Sequence, residues 1–169
     1  MPVSRLNQCL VVCSILPAVA AAADPVVFEP AAIMDWSTKA FAGETRYELT
    51  QSNGRAAVHA ECRDGAASGL ILERDIDLTE TPVVEWRWRA GHFPNGADET
   101  QRAGDDYVAR LYAVDANRLL RWRTRAVNYV WSTGMERGAD WPNAYLSHAH
   151  MVAVRSGPQA DPGAWQTQR

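Results

Sequence analysis

The side chains best suited to chemistry in this chain are two carboxylates, Glu85 and Asp106. A glycoside hydrolase needs such a pair about 5 to 10 Å apart, one group to donate a proton and one to attack or to activate water. Neighbouring strands supply that spacing. Arg87, Arg89 and Arg110 flank the pair in sequence. Guanidinium groups hold nearby carboxylates ionised, which suits ion pairing better than acid catalysis. Hydrolysis through Glu85 and Asp106 is therefore the second reading, behind non-catalytic binding, and a structural envelope protein without a small ligand is the third. No Ser-His-Asp order, nucleophile elbow, phosphate loop or zinc spacing accompanies the pair.

The binding reading starts from seven tryptophans. Trp131 and Trp141 border the segment Gly134 to Pro142, where a flat indole could stack on a sugar ring; filling the core is the competing role, because aromatics dominate core energetics. Arg87, Arg110, Asn128 and Arg155 carry the planar polar groups that hydrogen-bond hydroxyls. These six residues are the candidate ligand-binding set, for a glycan or another cell-envelope component. Asp98, Glu99, Asp105 and Asp106 are hard oxygen ligands. They lack the spacing of a calcium loop, so a solvated loop paired with Arg102 and Arg110 is expected. Asp106 is the structural member expected there, paired with Arg110 or Arg87. His148 and His150 could share one side of a strand, but no third ligand lies near them in sequence, so two exposed histidines are expected. No metal or other cofactor is expected.

These groups need a scaffold, and the pattern that organises it is Pro82-Val-Val-Glu-Trp-Arg-Trp-Arg89. Strand side chains alternate between faces. Val84, Trp86 and Trp88 then point into a core, while Glu85, Arg87 and Arg89 point away from it. Further strands are expected at Val26 to Phe28, Thr45 to Leu49, Ala56 to Cys62, Gly69 to Glu73, Asp75 to Leu78, Tyr107 to Val114, Leu119 to Arg123, Arg125 to Trp131 and Met151 to Arg155. Ser52-Asn53-Gly54 predicts a hairpin turn, and Gly91 to Gly104 a long loop of the kind that carries function. No long amphipathic helix and no internal repeat interrupts this series. Short strands at this spacing predict an all-β fold, an antiparallel β-sandwich that is jelly-roll-like. Cys62 is expected as a buried structural thiol.

The first 23 residues read as a signal peptide. Arg5 supplies the positive end, Cys9 to Ala20 the short apolar run, and Ala20 to Ala23 a cleavage site. That leaves residues 24–169 as one β-sandwich domain, periplasmic or secreted, with no membrane span in the mature protein. Cys9 and Cys13 leave with the signal, so Cys62 has no intrachain disulfide partner. The net charge of -3 argues against a broad electrostatic grip on nucleic acid.

Several motifs resemble a bacterial domain-of-unknown-function family, DUF3047. They are Ala67-Ser-Gly-Leu70, Thr81-Pro82, Glu85-Trp-Arg-Trp-Arg89, Ala103-Gly-Asp-Asp-Tyr-Val-Ala-Arg-Leu-Tyr112, Asn128-Tyr-Val-Trp-Ser132, Val154-Arg-Ser-Gly157, and Gly163 with Trp165. The resemblance implies an exported protein without an established activity. It also implies a helical segment and an Asp-rich strand beyond Arg169, so the chain is expected to be a C-terminally truncated form. Gly163 to Arg169 itself is expected to carry no strand.

Overall fold

The structure is a computed structural model that describes residues 24–94, 96–116, 119, 123–158 and 163–169. The expected signal peptide and most of the strand expected at Leu119 to Arg123 lie outside those residues. The described chain is mostly β-strand with almost no helix, an all-β protein. No helix among the described residues is long and apolar enough to cross a membrane. The chain divides after Pro82 into two compact units.

The first unit holds one helical turn, α1 (Pro30–Ile33), and four strands, β1 (Ser37–Ala42), β2 (Arg46–Ser52), β3 (Arg55–Glu61) and β4 (Ala67–Ile71). β2 and β3 form the predicted hairpin, with Ser52 opposite Arg55. Asn53 and Gly54 sit between them at φ of 53° and 74°. Both central residues of a two-residue hairpin loop need that left-handed backbone, which Asn and Gly adopt at least cost. β1 pairs antiparallel with β4. Ser68 ties the two pairs together: Thr45 N donates to its Oγ at 3.0 Å and Tyr47 Oη donates to its carbonyl at 2.8 Å.

Three expectations fail in this unit. Val26 to Phe28 is not a strand; Pro30 opens a helical turn just after it, and Phe28 packs edge-on against Trp36 at 5.5 Å. Asp75 to Leu78 has the alternation of a strand without its pairing. The Asp77 carboxylate accepts from Thr79 N at 2.8 Å and Thr79 Oγ1 at 2.6 Å, which closes a local turn instead. Cys62 is exposed, because the buried residue of β3 is Ala57, on the opposite face from the one that alternation assigned.

The second unit holds β5 (Trp86–Trp88), β6 (Ala109–Asp115), β7 (Arg125–Ser132), β8 (Asp140–Pro142), β9 (Ala149–Ser156) and β10 (Gln166–Gln168). Four of them make one sheet in the order β6-β7-β9-β8. β5 and β10 make a separate antiparallel ribbon, with Trp86 opposite Gln168 and Trp88 opposite Gln166. The C-terminal residues therefore do carry a strand. The β7–β9 pairing is parallel, against the antiparallel expectation. Parallel neighbours need a crossover of a dozen residues or more. The segment between Ser132 and Ala149 provides it, and β8 within it pairs antiparallel with β9.

Register assigns the two faces of the sheet. One carries Val130, Trp141, Met151 and Ala153, with Tyr107, Met135 and Ala139 packed against them. The other carries Tyr129 and Trp131, and there the Trp86 and Trp88 rings lie 5.5 Å from Tyr129 and 5.9 Å from Trp131. The two indoles of β5 thus share a face as alternation predicts, and Arg87 and Arg89 stay exposed.

Candidate ligand-binding site

One row of side chains crosses all four strands of the sheet. Trp141 stands opposite Met151, Met151 opposite Asn128, and Asn128 opposite Tyr112. Paired residues share a face, so the row runs from a buried indole at the β8 edge to a half-exposed phenol at the β6 edge. Trp141 is 5 % exposed, Asn128 1 % and Tyr112 47 %. Arg110 lies two residues before Tyr112 on β6, hence on the same face.

Arg110 is held on several sides. Its guanidinium lies 4.4 Å from the Tyr107 ring centre and 5.8 Å from that of Tyr112. It donates to Asp105 Oδ2 at 3.3 Å, to the Asp105 carbonyl at 2.8 Å and to Tyr112 Oη at 3.1 Å. Cation–π and fork contacts of this kind fix a guanidinium in one orientation. The ion pair is with Asp105, not Asp106. Asp106 is exposed.

Two acceptors in this neighbourhood lack a donor. Asn128 gives its Nδ2 hydrogen to Met151 Sδ at 3.2 Å. Its Oδ1 is buried without a hydrogen-bond partner, as is Asp105 Oδ1. Leaving such a group unsatisfied costs about 1 to 3 kcal/mol. Burial pushes Tyr107 up to about 12, with the Asp105 charge acting in the same direction, so its hydroxyl stays a donor; it bonds the Glu99 carbonyl at 3.2 Å.

Glu99 is the residue that composition could not single out from its acidic neighbours. It is 2 % exposed. Its Oε2 accepts from Ser132 Oγ at 2.6 Å, and its Oε1 from Thr133 N at 2.6 Å and Thr133 Oγ1 at 2.8 Å. Its carbonyl accepts from Trp141 Nε1 at 3.2 Å. These bonds pin the loop before β6 to the end of β7 and so place Asp105 and Tyr107 beside Arg110. Asp98, next to it, is spent on a local turn: its carboxylate accepts from Thr100 N at 3.0 Å and Thr100 Oγ1 at 2.6 Å, which holds it below the usual carboxylate range.

The six predicted ligand contacts separate into three places. Asn128 and Trp141 lie in the row just described, and Arg110 lies beside it on the same face. Trp131 lies on the other face of the sheet, 0 % exposed, donating Nε1–H to the Gly157 carbonyl at 3.0 Å. Trp88, Phe93 and Arg155 pack around its ring. Trp131 and Trp141 are core, the competing role weighed for them; a ring covered on all sides has no face to offer a sugar. Arg87 is on the outward face of the β5–β10 ribbon, 5.7 Å from the Trp165 ring centre. Glu85 and Asp106 are both exposed and lie just outside the strands that follow them. His148 and His150 are exposed as expected, and His150 Nε2 meets Asp140 Oδ1 at 2.6 Å. Tyr112 was missed; its place opposite Asn128 follows only from the β6–β7 register.

Residues 34–169 match the family described as "Protein of unknown function (DUF3047)". No curated protein and no solved structure matches the chain.

Proposed function

Because the chain belongs to the DUF3047 family, whose description names no activity, we infer its function from its own side chains: it is an exported protein that binds a glycan of the cell envelope without transforming it. The reading includes a periplasmic or secreted location after removal of residues 1–23. It also includes a jelly-roll-like sandwich as the scaffold. What supports the scaffold is the packing of Trp86 and Trp88 over Tyr129 and Trp131.

One observation carries the binding reading. Arg110 is fixed between two tyrosines, the outer of which is half exposed. Sugars present apolar ring faces edged by hydroxyls. A partly open phenol beside a rigid guanidinium matches those features. The hydrolase reading through Glu85 and Asp106 has no comparable observation behind it, since both carboxylates are exposed.

A polysaccharide-array screen of the purified protein tests the reading. Tyr112→Ala removes the exposed ring and should weaken the best glycan about tenfold, the effect of losing roughly 1.4 kcal/mol. No binding to any glycan overturns the proposal. So does glycan cleavage that Glu85→Gln abolishes, which would put the hydrolase first.

A further inference from the structure

The row on the sheet leaves Arg87 of β5 and Arg89 just after it unused, and their arrangement is specific. Arg87 projects from the outward face of the β5–β10 ribbon, opposite the face on which Trp86 and Trp88 pack, and Arg89 follows directly after the end of β5. Their guanidinium carbons lie 5.7 Å and 5.6 Å from the ring centre of the same indole, Trp165. Thr167, exposed, is the cross-strand partner of Arg87 and shares its face. Both arginines are exposed. Among the described residues neither has a carboxylate partner; Glu85, two residues before Arg87, makes no ion pair with either.

The two guanidinium groups thus flank one indole. Like charges gathered around one ring repel mildly in water, and an anion between them relieves that repulsion. A guanidinium fork matches the two oxygens of a carboxylate, and the indole adds an apolar surface for the ring that bears it.

The geometry points to Arg87, Trp165 and Arg89 as a site for the carboxylate of an acidic sugar. A uronate carries the anion and the pyranose ring on one unit, so both halves of the site are used. A phosphate-rich membrane surface needs only charge and would leave the indole unused. The inference rests on the glycan reading for the sugar, but its charge-reading residues are separate from Tyr112 and Arg110.

The test is calorimetric titration of the intact protein with an oligogalacturonate, its methyl-esterified counterpart and phosphatidylglycerol vesicles. The free acid should bind, more weakly as salt rises. Neutralising both charges, in Arg87→Gln with Arg89→Gln, should lower its affinity at least tenfold. Arg87→Lys with Arg89→Lys keeps the charge and removes the fork; it should lower affinity severalfold while leaving the circular dichroism spectrum unchanged. Tyr112→Ala should leave binding of the free acid within twofold, which separates failure of this site from failure of the site on the sheet. Equal binding of the ester overturns the proposal, as does binding indifferent to both arginine pairs. Arginine-dependent binding to vesicles without binding to oligogalacturonate overturns it in favour of a membrane surface.

Discussion

Tyr107 shows how a single residue reports on its surroundings. Its ring is half-buried beside Trp141, 6.3 Å between centres. Its phenol is pushed up to about 12, by desolvation first and by the Asp105 charge second. An unfolded tyrosine releases its proton near pH 10. Between about pH 10 and 12 the folded chain therefore holds a proton that the unfolded chain has lost, and stability falls as pH rises through that window. The contribution is complete below pH 10 and gone above about pH 12. Ultraviolet titration of the five tyrosines should show one ionising about two pH units late. Tyr107→Phe should remove that late step; a titration in which it survives would place the perturbed phenol elsewhere. At this scale the sequence was informative about residue type and poor about partner. It marked Asp105, Asp106, Glu99 and Arg110 as an ionic group, but the choice of Asp105 for the ion pair and Glu99 for the buried position depends on where the loop turns, which no local pattern encodes.

At the scale of elements, local signals were read well and long-range pairing was not. Asn53-Gly54 specifies its hairpin within four residues. Trp86 and Trp88 share a packed face because period-two alternation is a property of one strand. The strand at Gln166 to Gln168 was missed, since Gln-Thr-Gln has little apolar character of its own and is ordered by pairing with β5. The parallel β7–β9 register was equally hidden, being set by a crossover rather than by a turn. The loop before β6 depends on a single glycine. A Cβ at Gly104 would collide with the carbonyl of Asp98 and crowd Glu99 N at 3.0 Å. These are backbone atoms of the segment that seats Glu99, so they cannot rotate away. Gly104→Ala should therefore destabilise the protein by about 1 to 3 kcal/mol, as overpacking does. In a thermal melt that is about 2 to 4 °C for each kcal/mol. Gly134→Ala is the control: nothing lies within 4 Å of a Cβ placed there, and its melting point should not move. Equal melting of both variants would show that the Asp98–Gly104 contact does not limit the loop.

For the molecule as a whole, the open question is how many cooperative units it has. Composition and length led to one domain over residues 24–169, and that remains our proposal. Contacts divide the chain after Pro82. Residues 72–80, leading up to that point, are exposed and hold no strand. The side-chain anchors of this stretch include the Asp77 turn with Thr79 and Thr81, and Arg74 over the Phe28 ring at 5.7 Å. An exposed segment without strand pairing opens locally and is cut first, so trypsin should cleave after Arg74 before it reaches Arg87 in β5. Cleavage alone does not decide the number of units, because two fragments can stay associated. Calorimetry does. If residues 24–169 are one domain, the intact chain should unfold in one transition whose calorimetric and van't Hoff enthalpies agree. The Arg74-cleaved protein should then melt as a single, less stable species. Two separate transitions in the intact chain, with one unchanged after cleavage, would instead make Val83–Arg169 a domain in its own right. Both candidate sites would then belong to that unit, since Arg110, Tyr112, Asn128, Arg87, Arg89 and Trp165 all follow Pro82.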